Sequence, residues 1–107
     1  MKRRAWLAPL AAALAAAISA CAAFVPEPDP SDAGGSEAVL AELRQGRHLY
    51  VEKCGACHRL HDVDAYGDDE WRGHVQDMIR ENLVKITRPE HEALVRYLTS
   101  LNSKPRP

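Results

Sequence analysis

The pentapeptide Cys54-Gly55-Ala56-Cys57-His58 constrains this chain more than any other feature. Its pattern, C-x-x-C-H, is the sequence to which a c-type haem is attached. Each thiol can add across one haem vinyl group, and the histidine that follows directly becomes the proximal ligand of the iron. Gly55 and Ala56 are small, so the main chain between the thiols can lie close to a porphyrin. The motif therefore predicts one covalent haem c held by Cys54, Cys57 and His58.

Two other uses of the same side chains remain open. A thioredoxin-like dithiol needs a βαβ context, whereas the sequence around this motif has a helical pattern. A zinc site could combine Cys54 and Cys57 with two of the histidines at positions 58, 61, 74 and 91. However, no second close pair of ligands stands at the spacing typical of zinc fingers. We therefore favour the haem interpretation.

Residues 1–20 have the pattern of an export signal. A basic segment at residues 2–4 precedes an apolar run, Trp6 to Ile18, that is too short for a comfortable membrane span. The sequence Ile18-Ser19-Ala20-Cys21 ends this run and resembles the lipobox of bacterial lipoproteins. In that family the cysteine is lipidated and becomes the first residue of the mature protein. Ordinary signal cleavage, for example after an Ala-x-Ala site such as Ala20-Cys21-Ala22, is the alternative and would leave Cys21 spare or removed.

This resemblance implies a location on the periplasmic side of a bacterial membrane. Ala22, rather than an aspartate, follows the cysteine, which favours the outer membrane. Covalent haem attachment in bacteria also takes place outside the cytoplasm, so the export signal supports the haem prediction.

Cysteine count and charge agree with this assignment. The chain has three cysteines; the haem motif uses two and lipidation of Cys21 uses the third, so we expect no disulfide. The formal net charge of −1 includes the three cations of the signal, so the mature chain carries about −4. An acidic chain of this kind argues against nucleic acid as a partner.

Composition divides the rest of the chain into a linker, a domain and a tail. Residues 21–36, rich in proline, glycine and acidic side chains, are predicted to be a flexible linker after the lipidated cysteine. A free linker of a dozen residues has a root-mean-square reach of roughly 20 Å. Residues 37–102 form the predicted domain and residues 103–107 a frayed tail.

Apolar periodicity predicts three main helices in this domain. The first begins at Ser36 as N-cap and runs to about Lys53. The second covers about 69–82, with Asp68 as its cap. The third runs from the capping box of Thr87 and Glu90 to about residue 101. The strand pattern is poor throughout, so we expect an all-α fold.

The first helix and the haem motif together resemble the class I cytochromes c. In that family a helix of the form Gly-x-x-Leu-Tyr leads into C-x-x-C-H and crosses the last helix at the glycine, and the matching residues here are Gly46, Leu49 and Tyr50. Tyr97 matches the aromatic residue of the last helix at that crossing. The resemblance implies a small cytochrome c-like bundle of three to four helices around one covalently bound haem.

The sixth iron ligand departs from the usual family pattern. The family's methionine, some forty or more residues after the haem histidine, is missing, and Met78 is the only candidate besides the initiator. The segment Trp71-x-x-x-Val75-x-x-Met78 resembles a subset of small monohaem cytochromes. That resemblance implies Met78 as the iron ligand and Trp71 beside the porphyrin. His74, His61, His91 and an open sixth position remain alternatives.

These predictions point to a one-electron carrier. It would pass electrons between a donor and an acceptor redox protein while bound to the membrane by its lipid anchor. No base, nucleophile or substrate pocket is evident, so we expect no enzymatic activity and no small-molecule substrate. Two alternatives remain: a haem-based sensor with an open sixth position, and an obligate cytochrome subunit of a periplasmic dehydrogenase.

Overall fold

The computed structural model describes residues 22–56 and 59–107. Three α-helices make up most of this part: α1 (Glu37–Leu49), α2 (Asp68–Arg80) and α3 (Arg88–Leu101). Short 3₁₀ turns cover Pro30–Ala33 and Val63–Ala65. Residues 22–56 and 59–107 contain no strand, so the prediction of an all-α fold is confirmed. In the same ranges, no helix combines the length and the apolar character needed to cross a membrane.

Helix α1 begins where the sequence predicts. The Ser36 hydroxyl accepts a hydrogen bond from the Val39 amide at 3.2 Å and so caps the helix. The regular helix ends at Leu49, earlier than predicted, and the chain continues as a π-helical turn over Tyr50–Cys54. Both ends of this turn, Tyr50 and Cys54, are buried. Single π turns occur often at functional sites, and this one leads directly into the C-x-x-C-H motif.

The start of α2 differs from the prediction. Gly67, not Asp68, is the N-cap, and its amide donates to the Glu70 carboxylate at 3.2 Å. Asp68 is the first helical residue, and its carboxylate accepts a hydrogen bond from the Asn102 side chain at 2.7 Å. The aspartate therefore connects α2 to the end of α3 instead of capping its own helix.

Helix α3 has the predicted capping box. The Thr87 amide donates to the Glu90 carboxylate at 2.8 Å, and the Glu90 amide donates to the Thr87 hydroxyl at 3.3 Å. Its buried stripe packs against α1, and this is the most extensive contact between helices in the described part of the chain. The crossing lies at Gly46, where the main chain of α1 contacts the Ala93 main-chain oxygen and Tyr97.

The segment before α1 lies against the domain, which differs from the flexible linker that its composition predicts. The Phe24 amide donates to the Asp62 carboxylate at 2.7 Å, and the Phe24 carbonyl accepts from the Val63 amide at 2.8 Å. Asp29 and Asp32 form a capping box around the 3₁₀ turn. We call residues 22–33 the N-terminal strap. The main-chain groups of Phe24 therefore bond to the domain.

The C-terminal residues hold the strap in place, although the sequence predicts a frayed tail. The Lys104 ammonium lies 2.8 Å from the Asp29 carboxylate and 2.6 Å from that of Asp32. The Arg106 guanidinium bonds to the carboxylates of Asp62 and Asp64. We call these ion pairs of Lys104 and Arg106 the clasp. Pairing over such a distance along the chain is not indicated by local composition.

Candidate functional site

One cavity of about 200 Å³ lies between the π turn, the loop after the C-x-x-C-H motif and α2. Cys54, Trp71 and Met78, three of the predicted site residues, line it together. Cys57, His58 and Cys21 lie outside the described residues. The remaining lining residues are Tyr50, His61, Tyr66, His74, Asp77 and Glu81.

The π turn carries Cys54 to this cavity. Cys54 closes the turn and is only 4% exposed. Tyr50 opens the turn, and its hydroxyl donates to the His61 carbonyl at 2.5 Å. This bond ties the segment before the motif to the loop after it. Burial raises the pKa of Tyr50 well above its ordinary value, so the phenol remains a hydrogen-bond donor at neutral pH.

Trp71 forms a rigid wall of the cavity. Its indole N–H donates to the Val63 carbonyl at 2.9 Å. Its ring meets Tyr50 and Tyr66 edge to face, with centroid distances of 5.7 and 5.0 Å. Such aromatic pairs contribute about 0.5–1.5 kcal/mol each beyond the area that they bury. The indole is therefore held at both its polar and its apolar edges.

Met78 and His74 face the cavity one turn apart on α2. Met78 is partly buried, whereas His74 is exposed and lies beside Tyr66 with a ring-centroid distance of 4.4 Å. Of the other candidate ligands, His61 also lines the cavity. His91 does not; it lines a separate groove between the helices, together with Arg72 and Arg96.

The side chains at the cavity fit a haem in their chemistry. A thiol, two imidazoles and a thioether reach one cavity whose walls include three aromatic rings. Small-molecule pockets usually measure about 300–1,000 Å³. A porphyrin would therefore extend beyond this cavity or require its lining to open. Tyr66 stands at the partly exposed side, in the short segment before α2.

Tyr66, Asp77 and Glu81 line this cavity but were not among the residues predicted from the sequence. Tyr66 contacts His61, Trp71 and His74, and its position next to Gly67 in a polar loop was the available signal. In residues 22–56 and 59–107, no group of three His, Cys, Asp or Glu side chains could hold a metal ion.

No family model, no curated protein and no solved structure matches this chain.

Proposed function

We propose that this protein is a one-electron carrier with one covalent haem c. The thioether bonds would form at Cys54 and Cys57, and His58 would be the proximal ligand. One observation carries the proposal: Cys54, the first residue of the C-x-x-C-H motif, opens onto the same cavity as Trp71 and Met78. Cys54 precedes Trp71 by 17 positions and Met78 by 24, so its meeting with them is a property of the fold.

The side chains that line the cavity would set the solvent exposure and the reduction potential of the proposed haem. A bound haem supplies an iron that takes up and releases single electrons. Trp71, fixed by its bond to Val63, would shield one side from water. Met78 would provide a neutral thioether, which favours the reduced iron more than a second imidazole does. The role proposed for these residues is to bind and tune the iron, not to act on a substrate.

The proposed setting is the periplasmic side of a bacterial membrane, with the outer membrane favoured. The sequence at residues 18–21 supports a lipid anchor on Cys21. The partners would be a donor and an acceptor redox protein. The acidic mature chain carries its charge on an exposed surface, where it can influence the rate of encounter with such partners.

A pyridine haemochrome assay tests the haem proposal after co-expression with the cytochrome c maturation proteins. We expect one covalent haem in the wild type, and weak or absent attachment in Cys54→Ser and Cys57→Ser. His58→Ala should remove the proximal ligand.

Cys21→Ser is the matched control, because it removes a thiol outside the motif. It should keep the haem and lose membrane association or stall in processing. Stoichiometric zinc with no covalent haem in the wild type would contradict the proposal.

A further inference from the structure

The strap is fixed to the domain almost from its first described residue. Phe24 bonds through both its amide and its carbonyl, to the Asp62 carboxylate at 2.7 Å and to the Val63 amide at 2.8 Å. The Arg106 guanidinium lies 4.5 Å above the centre of the Phe24 ring. Such a cation–π contact adds to the two hydrogen bonds. Phe24 is therefore held from three directions.

The next two carbonyls of the strap are also bound by the domain. The Val25 carbonyl accepts from the Arg47 side chain at 3.2 Å, and the Pro26 carbonyl accepts from the Tyr97 hydroxyl at 2.8 Å. Arg47 also forms an ion pair with Glu27 at 3.0 Å. Three consecutive main-chain acceptors fix the register of the strap. Arg47 and Tyr97 belong to α1 and α3, so the strap is attached to the helix crossing itself.

We propose that the strap is a mount that holds the domain directly against the phospholipid bilayer. The surface around Phe24 and the loop at residues 59–62 then faces the lipid. This inference rests on the proposed lipidation of Cys21. From Cys21 to Phe24 the chain can span only about 10 Å, whereas a free linker up to α1 would reach roughly 20 Å on average and twice that when extended. Because the acyl chains must lie in the membrane, the short tether leaves the bilayer as the occupant of this surface.

Docking of the strap also sets the orientation of the domain relative to the membrane. Ala23, Leu60 and His61 line one surface depression. His61 lines the cavity of Cys54 and Met78 as well. The candidate haem cavity is therefore one loop away from the lipid-facing surface. A redox partner that reaches this cavity is a protein that lies in or on the same membrane.

Neutron reflectometry of the lipidated holoprotein on a supported phospholipid bilayer tests the mount. The wild-type domain should lie in contact with the headgroups, with no separate water layer. A variant with about eight Gly and Ser residues inserted between Ala22 and Ala23 should stand off by roughly 15 Å on average. The insertion precedes Phe24, where the contacts between strap and domain begin, so haem content and helix content should equal those of the wild type.

Hydrogen exchange of the Val63 amide measures docking of the strap separately. This amide bonds to the Phe24 carbonyl and should exchange slowly in the wild type. Lys104→Ala/Arg106→Ala should speed its exchange about tenfold or more, because a weakened clasp lets the strap open locally. Lys85→Ala/Arg88→Ala removes the same charge from an exposed surface and should leave the rate unchanged.

The outcomes separate the mount from the proposal on which it rests. Mass spectrometry and the haem assay on the same samples report acylation of Cys21 and haem content. An unacylated terminus overturns both the anchor and the mount. An acylated wild type with a water layer as thick as that of the insertion variant overturns the mount alone. Fast exchange of the Val63 amide in the wild type would do the same.

Discussion

At the scale of single residues, Met78 and His74 compete for one position. Both side chains reach the cavity from the same face of α2, one turn apart. His74 is exposed and contacts the Tyr66 ring, whereas Met78 is partly buried among apolar groups. An apolar setting suits a neutral thioether, and an exposed imidazole remains well solvated where it is. The surroundings therefore favour Met78 as the ligand.

Met78→Ala should empty the sixth iron position. We expect the variant to lose the charge-transfer band of methionine-ligated ferric haem, fall in reduction potential and bind carbon monoxide readily when reduced. The optical spectrum and a redox titration measure these changes. His74→Ala, one turn away, is the control and should alter none of them. If the wild type already binds carbon monoxide fast, its sixth iron position is open. The haem-based sensor would then replace the electron carrier as the proposed function.

The sequence indicated some site residues and not others for physical reasons. Trp71, Val75 and Met78 lie on one helix, where a fixed periodicity places them on a common face. Tyr66 and His61 lie in a loop, where the path of the chain depends on distant contacts such as the bond from Tyr50 to the His61 carbonyl. Helical spacing could therefore place Trp71 and Met78 together, whereas no local spacing could place the Tyr66 ring against Trp71 and His74.

At the scale of the elements, the crossing of α1 and α3 depends on the missing side chain of Gly46. A Cβ built there would lie 2.5 Å from the Tyr97 Cβ and closer still to the Ala93 main-chain oxygen. Because the nearest atom belongs to the main chain of α3, the helices would have to separate. Interiors are packed too densely to absorb such a shift without cost.

Gly46→Ala should therefore lower the free energy of unfolding by about 1–3 kcal/mol. Gly73→Ala is the matched control, since Gly73 lies in the middle of α2 with nothing within 4 Å of a built Cβ. That change should raise the free energy of unfolding by about 0.5–1 kcal/mol, because alanine has less freedom in the unfolded chain. Urea titrations of the holoproteins measure both. If both substitutions changed the free energy of unfolding equally, the close contact of α1 and α3 at Gly46 would not explain the effect of Gly46→Ala.

The helix ends show what local sequence can and cannot predict. Ser36 and Thr87 act as the caps that their side chains suggest. Asp68 does not, because its carboxylate bonds to Asn102 at the end of α3. Its role was decided by a residue 34 positions away, and no local pattern carries that information.

At the scale of the whole molecule, the two ends of the described chain are clasped to the domain and to each other. Hydrogen bonding to the Phe24 amide, and then to Arg106, lowers the pKa of Asp62. Arg106 likewise lowers the pKa of Asp64, and Lys104 that of Asp29. The same pairs raise the pKa values of Lys104 and Arg106. Composition predicted a flexible linker and a frayed tail because it does not show which charged residues pair in the folded chain.

The lowered pKa values predict that the clasp weakens in acid. A carboxyl whose pKa is lower in the folded state stabilises that state fully above its unfolded pKa of about 3.9, and the contribution is lost as the pH falls through the folded pKa. The clasp should therefore add the same stability at about pH 7 and pH 5, and less at about pH 3. Titration of groups outside the clasp is common to the wild type and the clasp variant. The difference between them therefore reports the clasp.

Urea midpoints of the wild type and of Lys104→Ala/Arg106→Ala provide this difference. The wild type should be the more stable of the two by the same margin at about pH 7 and pH 5, and the margin should shrink at about pH 3. Lys85→Ala/Arg88→Ala, which leaves the clasp intact, should keep the acid response of the wild type. A margin between wild type and clasp variant that is the same at all three pH values would show that these pairs do not hold the strap. The strap would then depend on its main-chain bonds to Asp62, Val63, Arg47 and Tyr97, and hydrogen exchange of the Val63 amide would be the remaining test of its docking.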